Sequence, residues 1–418
     1  MKVVIAGAGI GGLAAALALA RAGHGVTVIE RSQVISEVGA GIQLSPNAMK
    51  GLAALGVAEA VEAVASEPEA LELRIGKTGE TVFSIPVGAA ARTRYGAPYL
   101  HAHRADLIQV LLEAAKGAGV RLVVGARVAA FAREGVGRLA GELEGQLVGE
   151  VGGPVGGGEL RVGLDTGEIV AGDLLVGADG IRSTVRRLMW GVDAPRFTGA
   201  VAWRAVAPVE AYRDLPVAAV VWTGAGRHAV TYRMRRGALI NFVGVVEEDG
   251  WEKEGWDEVG SKADLAAAFE GWDPAVTSVI GAARSVHRWA LYDRAPLAAW
   301  SKGAVVLLGD ACHAMAPFQA QGAAMAIEDA VVLAGCIGGR GDLAAALARY
   351  EALRKPRTTK MQASAKSNMG VFHRSNLVTQ AATYGPMRMA NMLAPAFVRS
   401  RQDWIYAYDP VAALKGKT

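Results

Sequence analysis

Hydrophobic positions recur along this chain with two periods, and glycine marks most of the places where one gives way to the other. Residues 3–6 form an apolar run read as a strand, 11–22 read as a helix after a glycine turn, and 25–29 read as a second strand. This is a βαβ start of the Rossmann type. A helical stretch is expected over 45–65 and strand-like alternation over 71–75 and 81–85, where the chain leaves the first unit before returning near Leu100. The segment 104–118 reads as an amphipathic helix with Leu107, Leu111 and Leu112 on one side, and 120–124 as a buried strand. Segments 200–207, 217–222, 228–233 and 239–246 are rich in β-branched and aromatic residues, the pattern of a mostly antiparallel sheet. Short apolar runs at 174–177 and 305–308 end in glycine turns, a helix follows over 322–336, and the chain from Asp342 onward reads as helical up to an aromatic tail at 404–408. The glycine-rich stretch 134–159 is expected to be an exposed hairpin or loop without chemistry.

The chain of 418 residues, 52% hydrophobic, is long enough for two interleaved domains. The pattern predicts an α/β fold: a discontinuous Rossmann-like domain from 1–70, 98–185 and 295–340, a β-sheet domain from 71–97 and 186–294, and a C-terminal helical region over 341–418. The 44 basic and 40 acidic residues leave a net charge of +4 and form no run suited to nucleic acid or a membrane surface. A pI near 9 favours an anionic substrate only weakly. Cys312 and Cys336 form no CxxC pair, which suits a reducing cytoplasm and argues against disulfides and zinc. The uncharged stretch 3–20 imitates a signal peptide or a membrane span. Its glycines at 7, 9, 11 and 12, and the strand ending in Glu30 that follows, point instead to a nucleotide loop.

In that loop Gly7, Gly9 and Gly12 satisfy GxGxxG. The first permits a tight turn, the second lets a pyrophosphate approach the backbone, and the third lets the helix pack closely while its N-terminus stabilises negative charge. With 53 glycines the pattern alone is weak, and a packing turn is the bland alternative. The strand before it, the helix after it and Glu30, placed to bind ribose hydroxyls, make the cofactor reading the stronger one. The loop does not distinguish FAD from NAD.

Two further motifs do: Gly177-Ala178-Asp179-Gly180-Ile181-Arg182-Ser183, and Gly309-Asp310 through Ala316-Pro317 to Gln321-Gly322-Ala323 and Glu328-Asp329. With these the chain resembles, over nearly its whole length, the single-component FAD aromatic hydroxylases, the family of para-hydroxybenzoate and salicylate hydroxylases. The resemblance implies bound FAD, a transient NADH or NADPH, O₂, and a small aromatic acid or phenol hydroxylated through a flavin C4a-hydroperoxide. It assigns Asp310 to the ribityl chain, the helix start at Gln321, Gly322 and Ala323 to the flavin ring, Asp179 to loop ordering beside the pyrophosphate, and Arg104 to an FAD contact. It also carries Ile10, Gly11, Arg31, Gln43, Val128 and Pro317 over as cofactor-lining positions, with 39–47 lying alongside the flavin. A phenolate is a better nucleophile than a phenol, so a base near the substrate hydroxyl helps. His228, with Tyr232 on the same strand face, resembles the family's histidine-to-tyrosine segment and is the candidate; a structural strand histidine is the alternative. Arg233 stands where relatives commonly have proline.

His313 reads as holding loop geometry. His101 and His103 lack a third ligand, and no metal is expected. Trp203 and Trp222 read as core, with an aromatic wall against a flat ligand as the alternative. No GxSxG, HExxH or P-loop pattern supports hydrolase or phosphoryl chemistry. Rival readings are an epoxidase or heteroaromatic hydroxylase with the same flavin chemistry, a flavin reductase of the geranylgeranyl reductase type, and a nucleotide-binding scaffold that has lost its chemistry. A homodimer is the default assembly.

Overall fold

The computed structural model describes residues 1–35, 41–133, 159–191, 194–250, 258–338, 341–374 and 376–416. Gly39, Ala40 and the glycine-rich segment expected as a hairpin, Glu159 excepted, lie outside the described residues. Val3, Val4, Ile5 and Ala6 are all buried because the strand Lys2–Ala6 sits inside a six-stranded sheet. Gly25–Glu30 pairs parallel on one side and Leu174–Gly177 on the other, with Val305–Leu307 continuing the parallel order. Strands buried on both faces read as unbroken apolar runs, which is why these were found in the sequence. Arg121–Val124, expected to be buried, is the sheet's edge strand, and its residues are half-buried or exposed. The helix Ile10–Arg21 packs tightly on Gly322–Ile337 and on the end of Val305–Leu307: a Cβ on Gly11 would stand 3.1 Å from Ala326 Cβ and 2.8 Å from Leu308 Cδ2.

An eight-stranded sheet forms the second layer system, in the order Glu258–Val259, Val286–Asp293, Arg196–Pro208, Leu239–Glu247, Arg227–Met234, Ala218–Gly224, Ala70–Ile75, Thr81–Pro86. All neighbours are antiparallel except Ala218–Gly224 with Ala70–Ile75. Side chains alternate between its faces. Trp203, Trp222 and Phe242 pack with Leu265, Phe269 and Val276 of two covering helices, so both tryptophans belong to a core. The opposite face carries Ala202, Val245, Trp289 and Leu291, which meet Ala316 and Phe318 of the loop after Val305–Leu307. A two-stranded ribbon, Gly41–Leu44 with Leu100–His103, packs against Arg227–Met234 of the larger sheet. It is tied to the larger one by the Gly41 amide donating to Asn241 Oδ1 at 2.7 Å.

The helix expected over 45–65 is two, Pro46–Ala54 and Ala58–Val64, separated where Gly56 takes φ +63°. Gly88–Tyr95 forms a helix that its sequence, without apolar periodicity, did not announce. The aromatic tail is also helical over Asp403–Tyr406, and buried Tyr406 meets Tyr95 and Tyr99 edge-on at 5.7 Å each. The 30-residue helix Leu343–Phe372 spans both units: Leu347 and Tyr350 join the first core, while Met369 and Phe372 reach the second sheet's face.

Candidate functional site

The glycine loop leaves the C-terminal end of Lys2–Ala6 and starts the helix Ile10–Arg21. Gly7 takes φ +99°, and a Cβ there would lie 2.5 Å from the Ala178 carbonyl oxygen; at Gly12 it would lie 2.0 Å from the Gly7 carbonyl oxygen. At Gly9 nothing comes within 4 Å. Two positions of the motif are therefore filled by neighbouring backbone and the middle one is open, the shape a pyrophosphate needs at a helix N-terminus. Glu30 accepts from the Ala8 amide at 2.8 Å and the Ser32 amide at 2.9 Å, which holds the loop and leaves each carboxylate oxygen a further lone pair. Arg31 is exposed beside it, and Ile10 turns its side chain into the core.

Asp179 accepts from the Ser183 hydroxyl and from the amides of Thr184 (2.7 Å) and Val185 (3.2 Å), which caps the helix Thr184–Trp190 and orders the turn beside Gly7. Burial pushes its carboxyl up, against those hydrogen bonds. Buried Arg186 reaches from that helix to the carbonyls of Ala311 and Cys312, both at 3.3 Å, joining this segment to the one beginning at Asp310. Asp310 is exposed, and Arg104, the first residue of the helix Arg104–Gly117, is close enough to feel its charge; burial lowers the Arg104 pKa and Asp310 opposes this. Gly322 and Ala323 open the helix Gly322–Ile337 with their surfaces partly free, and a Cβ on Gly322 would stand 4.0 Å from Asp310 Oδ1. Exposed Pro317 starts the short turn before it.

The Gln321 side chain is directed into the protein. It donates to Ser45 Oγ at 2.9 Å and accepts from Asn47 Nδ2 at 3.0 Å, so only its backbone and that of the helix start are left for a ring edge. Asn47 also donates to Glu328 Oε1 at 2.7 Å. Glu328 and Asp329 are fully buried, and Arg354 meets them at 2.6 and 2.7 Å, with Arg357 reaching Glu328 at 2.8 Å. Burial opposes ionisation of Asp329, but His313 and Arg354 more than offset it and lower its pKa. His313 thus bonds Asp329 beneath the loop. Cys312 lies beside the pair, but burial raises its thiol pKa, and the Asp329 charge is already met by Arg354. Val128 is buried at the start of Val128–Arg133 and offers its backbone alone, and Gln43 Oε1 accepts from Tyr99 Oη at 2.6 Å.

His228 and Tyr232 lie buried on the inner face of the larger sheet. The His228 ring stands 5.5 Å from that of Phe318, in the loop before Gln321. Tyr232 lies under the ribbon, with its ring 4.3 Å from His101, and a Cβ on Gly41 would be 2.5 Å from its Oη. Burial pushes the Tyr232 phenol up, with Arg204 pulling the other way. His103 accepts from the Ala105 amide and caps the helix Arg104–Gly117. Arg204, absent from the sequence-derived site, has its guanidinium 4.3 Å from the Trp289 ring centroid and its Nε buried without a hydrogen-bond partner. Burial, with Arg104 nearby, lowers its pKa to about 10, so it stays charged at neutral pH. Among the described residues no acid contributes to its electrostatics. Strand alternation puts Arg204 on one face with Ala202, but that this face is also that of His228 follows only from the register of the paired strands. Arg354 was foreshadowed by two adjacent acids in an apolar helix, which need buried cations.

Residues 1–365 match the family model described as FAD binding domain. The chain is 36% identical over 375 residues to the 3-amino-4-hydroxybenzoate 2-monooxygenase PtnB3 of Streptomyces platensis, covering 89% of this chain and 88% of that one. It is 36% identical over 374 residues to the 6-hydroxynicotinate 3-monooxygenase of Pseudomonas fluorescens, covering 88% and 91%. Klebsiella pneumoniae HpxO complexed with FAD and uric acid superposes with a TM-score of 0.82 at 26% identity, covering 99% of this chain and 97% of that one. Among the described residues no helix is long and apolar enough to cross a membrane.

Proposed function

This chain belongs to the FAD-dependent aromatic hydroxylases, and we propose that its substrate is an aromatic ring carrying both a hydroxyl and an anionic group, a carboxylate above all. The observation that carries this reading is the charge of Arg204, unmatched by any acid among the described residues and set on the sheet face that also bears His228 and Tyr232. Arg204 is half-buried with its Nε shielded from solvent, and a guanidinium so placed without a carboxylate is costly unless a ligand supplies the counter-charge. Arg204, braced on Trp289, would receive the acid group and so orient the ring. His228, whose Nε2 has no partner among the described residues, would accept the ring hydroxyl's proton, and Tyr232 would hold the oxygen by a hydrogen bond. Phe318 and Trp289 bring apolar surface that excludes water. Bound FAD, reduced by NAD(P)H, supplies the activated oxygen; Gly7 to Gly12, Glu30, Arg104, Asp310 and the start of Gly322–Ile337 would hold it. The names of the two relatives support the reading, since both name a ring acid bearing a hydroxyl.

The test is NADH and NADPH oxidation with oxygen uptake by the FAD-loaded protein, across hydroxylated aromatic acids, their neutral amides and uric acid, with product mass measured. Acids are expected to stimulate oxidation and gain one oxygen. Arg204→Met should raise KM for the acid about 10- to 100-fold, the loss of a hydrogen bond to a charged group, while leaving FAD content unchanged. Equal turnover of acid and amide, or an unaltered KM in the variant, overturns the assignment.

A further inference from the structure

His228 does not end at the sheet. Its Nδ1 lies 2.6 Å from Nε2 of His373, and the Nδ1 of His373 lies 2.7 Å from Oε1 of Glu247. His228 is 2% and His373 8% exposed, whereas the Glu247 side chain is 48% exposed. The three residues form a continuous hydrogen-bonded line from the buried sheet face to solvent. They come from three places: the strand Arg227–Met234, the C-terminal cap of the long helix Leu343–Phe372, and the last residue of Leu239–Glu247.

Resting on the reading of His228 as the base, we propose that His373 and Glu247 are the exit path that carries the substrate hydroxyl's proton to water. In the starting state each imidazole is neutral with its proton on Nδ1, so that His228 donates to His373 and His373 donates to the Glu247 carboxylate. The ring O–H bond breaks and its proton goes to His228 Nε2. His228 passes its Nδ1 proton to His373 Nε2, and His373 passes its own to Glu247, which releases it to solvent. The negative charge stays on the ring oxygen, both imidazoles remain neutral with exchanged tautomers, and ring rotation or a returning proton resets them.

The surroundings explain why a relay is needed. The His228 ring packs 5.5 Å from Phe318 and 5.2 Å from Phe372, a poor setting for a stored imidazolium. Burial, then His373, holds the pKa of His228 well below the usual histidine value. Burial also lowers that of His373, with Glu247 opposing and Arg227 assisting, and among the described residues these with His228 are the charged or titratable groups facing it. Two rings that resist charging pass a proton on more readily than they keep it.

The experiment uses the FAD-loaded protein. Nitrogen NMR of its histidines at pH 8 needs no ligand: both His228 and His373 are expected neutral with the proton on Nδ1, and a proton resting on Nε2 of either overturns the path. Stopped-flow mixing with 3-amino-4-hydroxybenzoate in weak buffer then follows phenolate absorbance and proton release to an indicator dye. His373→Leu and exposed Glu247→Gln should still form phenolate but release the proton about tenfold or more slowly, the scale of a lost acid–base contact. Added imidazole should restore the rate in His373→Leu, which a purely structural role would not allow. His228→Gln should form no phenolate. Full phenolate in His228→Gln sinks the base itself, whereas wild-type proton release in both outer variants sinks the relay alone.

Discussion

A methyl group on Gly12 would stand 2.0 Å from the Gly7 carbonyl oxygen, and one on Gly7 would meet the Ala178 carbonyl at 2.5 Å in a backbone already at φ +99°. Both neighbours are backbone, so no side-chain rotation relieves the contact. Gly12→Ala is therefore expected to destabilise the protein by about 1–3 kcal/mol, the cost of overpacking, and to lower the FAD retained on purification. The ratio of flavin to protein absorbance, read with the thermal midpoint, checks this. Gly9→Ala, where nothing lies within 4 Å, should leave the fold's stability unchanged and weaken FAD binding alone. The motif is legible in sequence because each glycine answers a different steric demand. Arg204 was not, because nothing local distinguishes a strand arginine facing a ligand from one facing water.

At the scale of elements, the helix Gly322–Ile337 has its N-terminus at the candidate flavin edge and two buried acids in its middle. Glu328 and Asp329 are tolerated there only because Arg354 and Arg357 come from the next helix and His313 from the preceding loop. Arg354→Met would strand two buried carboxylates, and the expected loss is about 3–5 kcal/mol, the cost of breaking a buried ion pair. Guanidinium denaturation measures it. Because Asn47 links Glu328 to Gln321, the same variant should also lower flavin retention, whereas removal of the exposed ion pair Lys116–Glu113 should change neither. The helix was legible from its apolar run. Its ion network was legible only as an unpaired demand, since the cations lie more than 20 residues away.

The whole molecule keeps several histidines neutral in its interior. Burial lowers the pKa of His101 to about 3, and lowers His103, His228 and His373 as well. In the unfolded chain these groups titrate near 6.5, so between that value and their folded values the unfolded state binds more protons. Stability is thus fully present above 6.5 and falls as the pH drops below it, with the His101 contribution continuing to about 3. Each titrating group adds up to about 1.4 kcal/mol per pH unit. Guanidinium midpoints at pH 7.5, 6 and 5 should fall in that order, and His101→Gln should flatten the slope. A pH-independent midpoint over this range would show that the interior histidines are hydrated.

The chain by itself determined what depends on near neighbours. Strand, glycine turn, helix and acid follow one another within 30 residues, and steric and dipolar rules over that span decide the nucleotide loop. The alternating apolar pattern likewise determined six of the eight strands of the larger sheet, though not their order, and left Val286–Asp293 and Glu258–Val259 unannounced. Tertiary structure alone decided which face of that sheet looks inward, where Arg204 meets Trp289, and that a histidine at the end of the long helix would touch His228 across 145 residues. It also exposed the edge strand Arg121–Val124 and buried Tyr406. Burial is a property of what packs opposite, and a chain read in order does not contain its own opposite side.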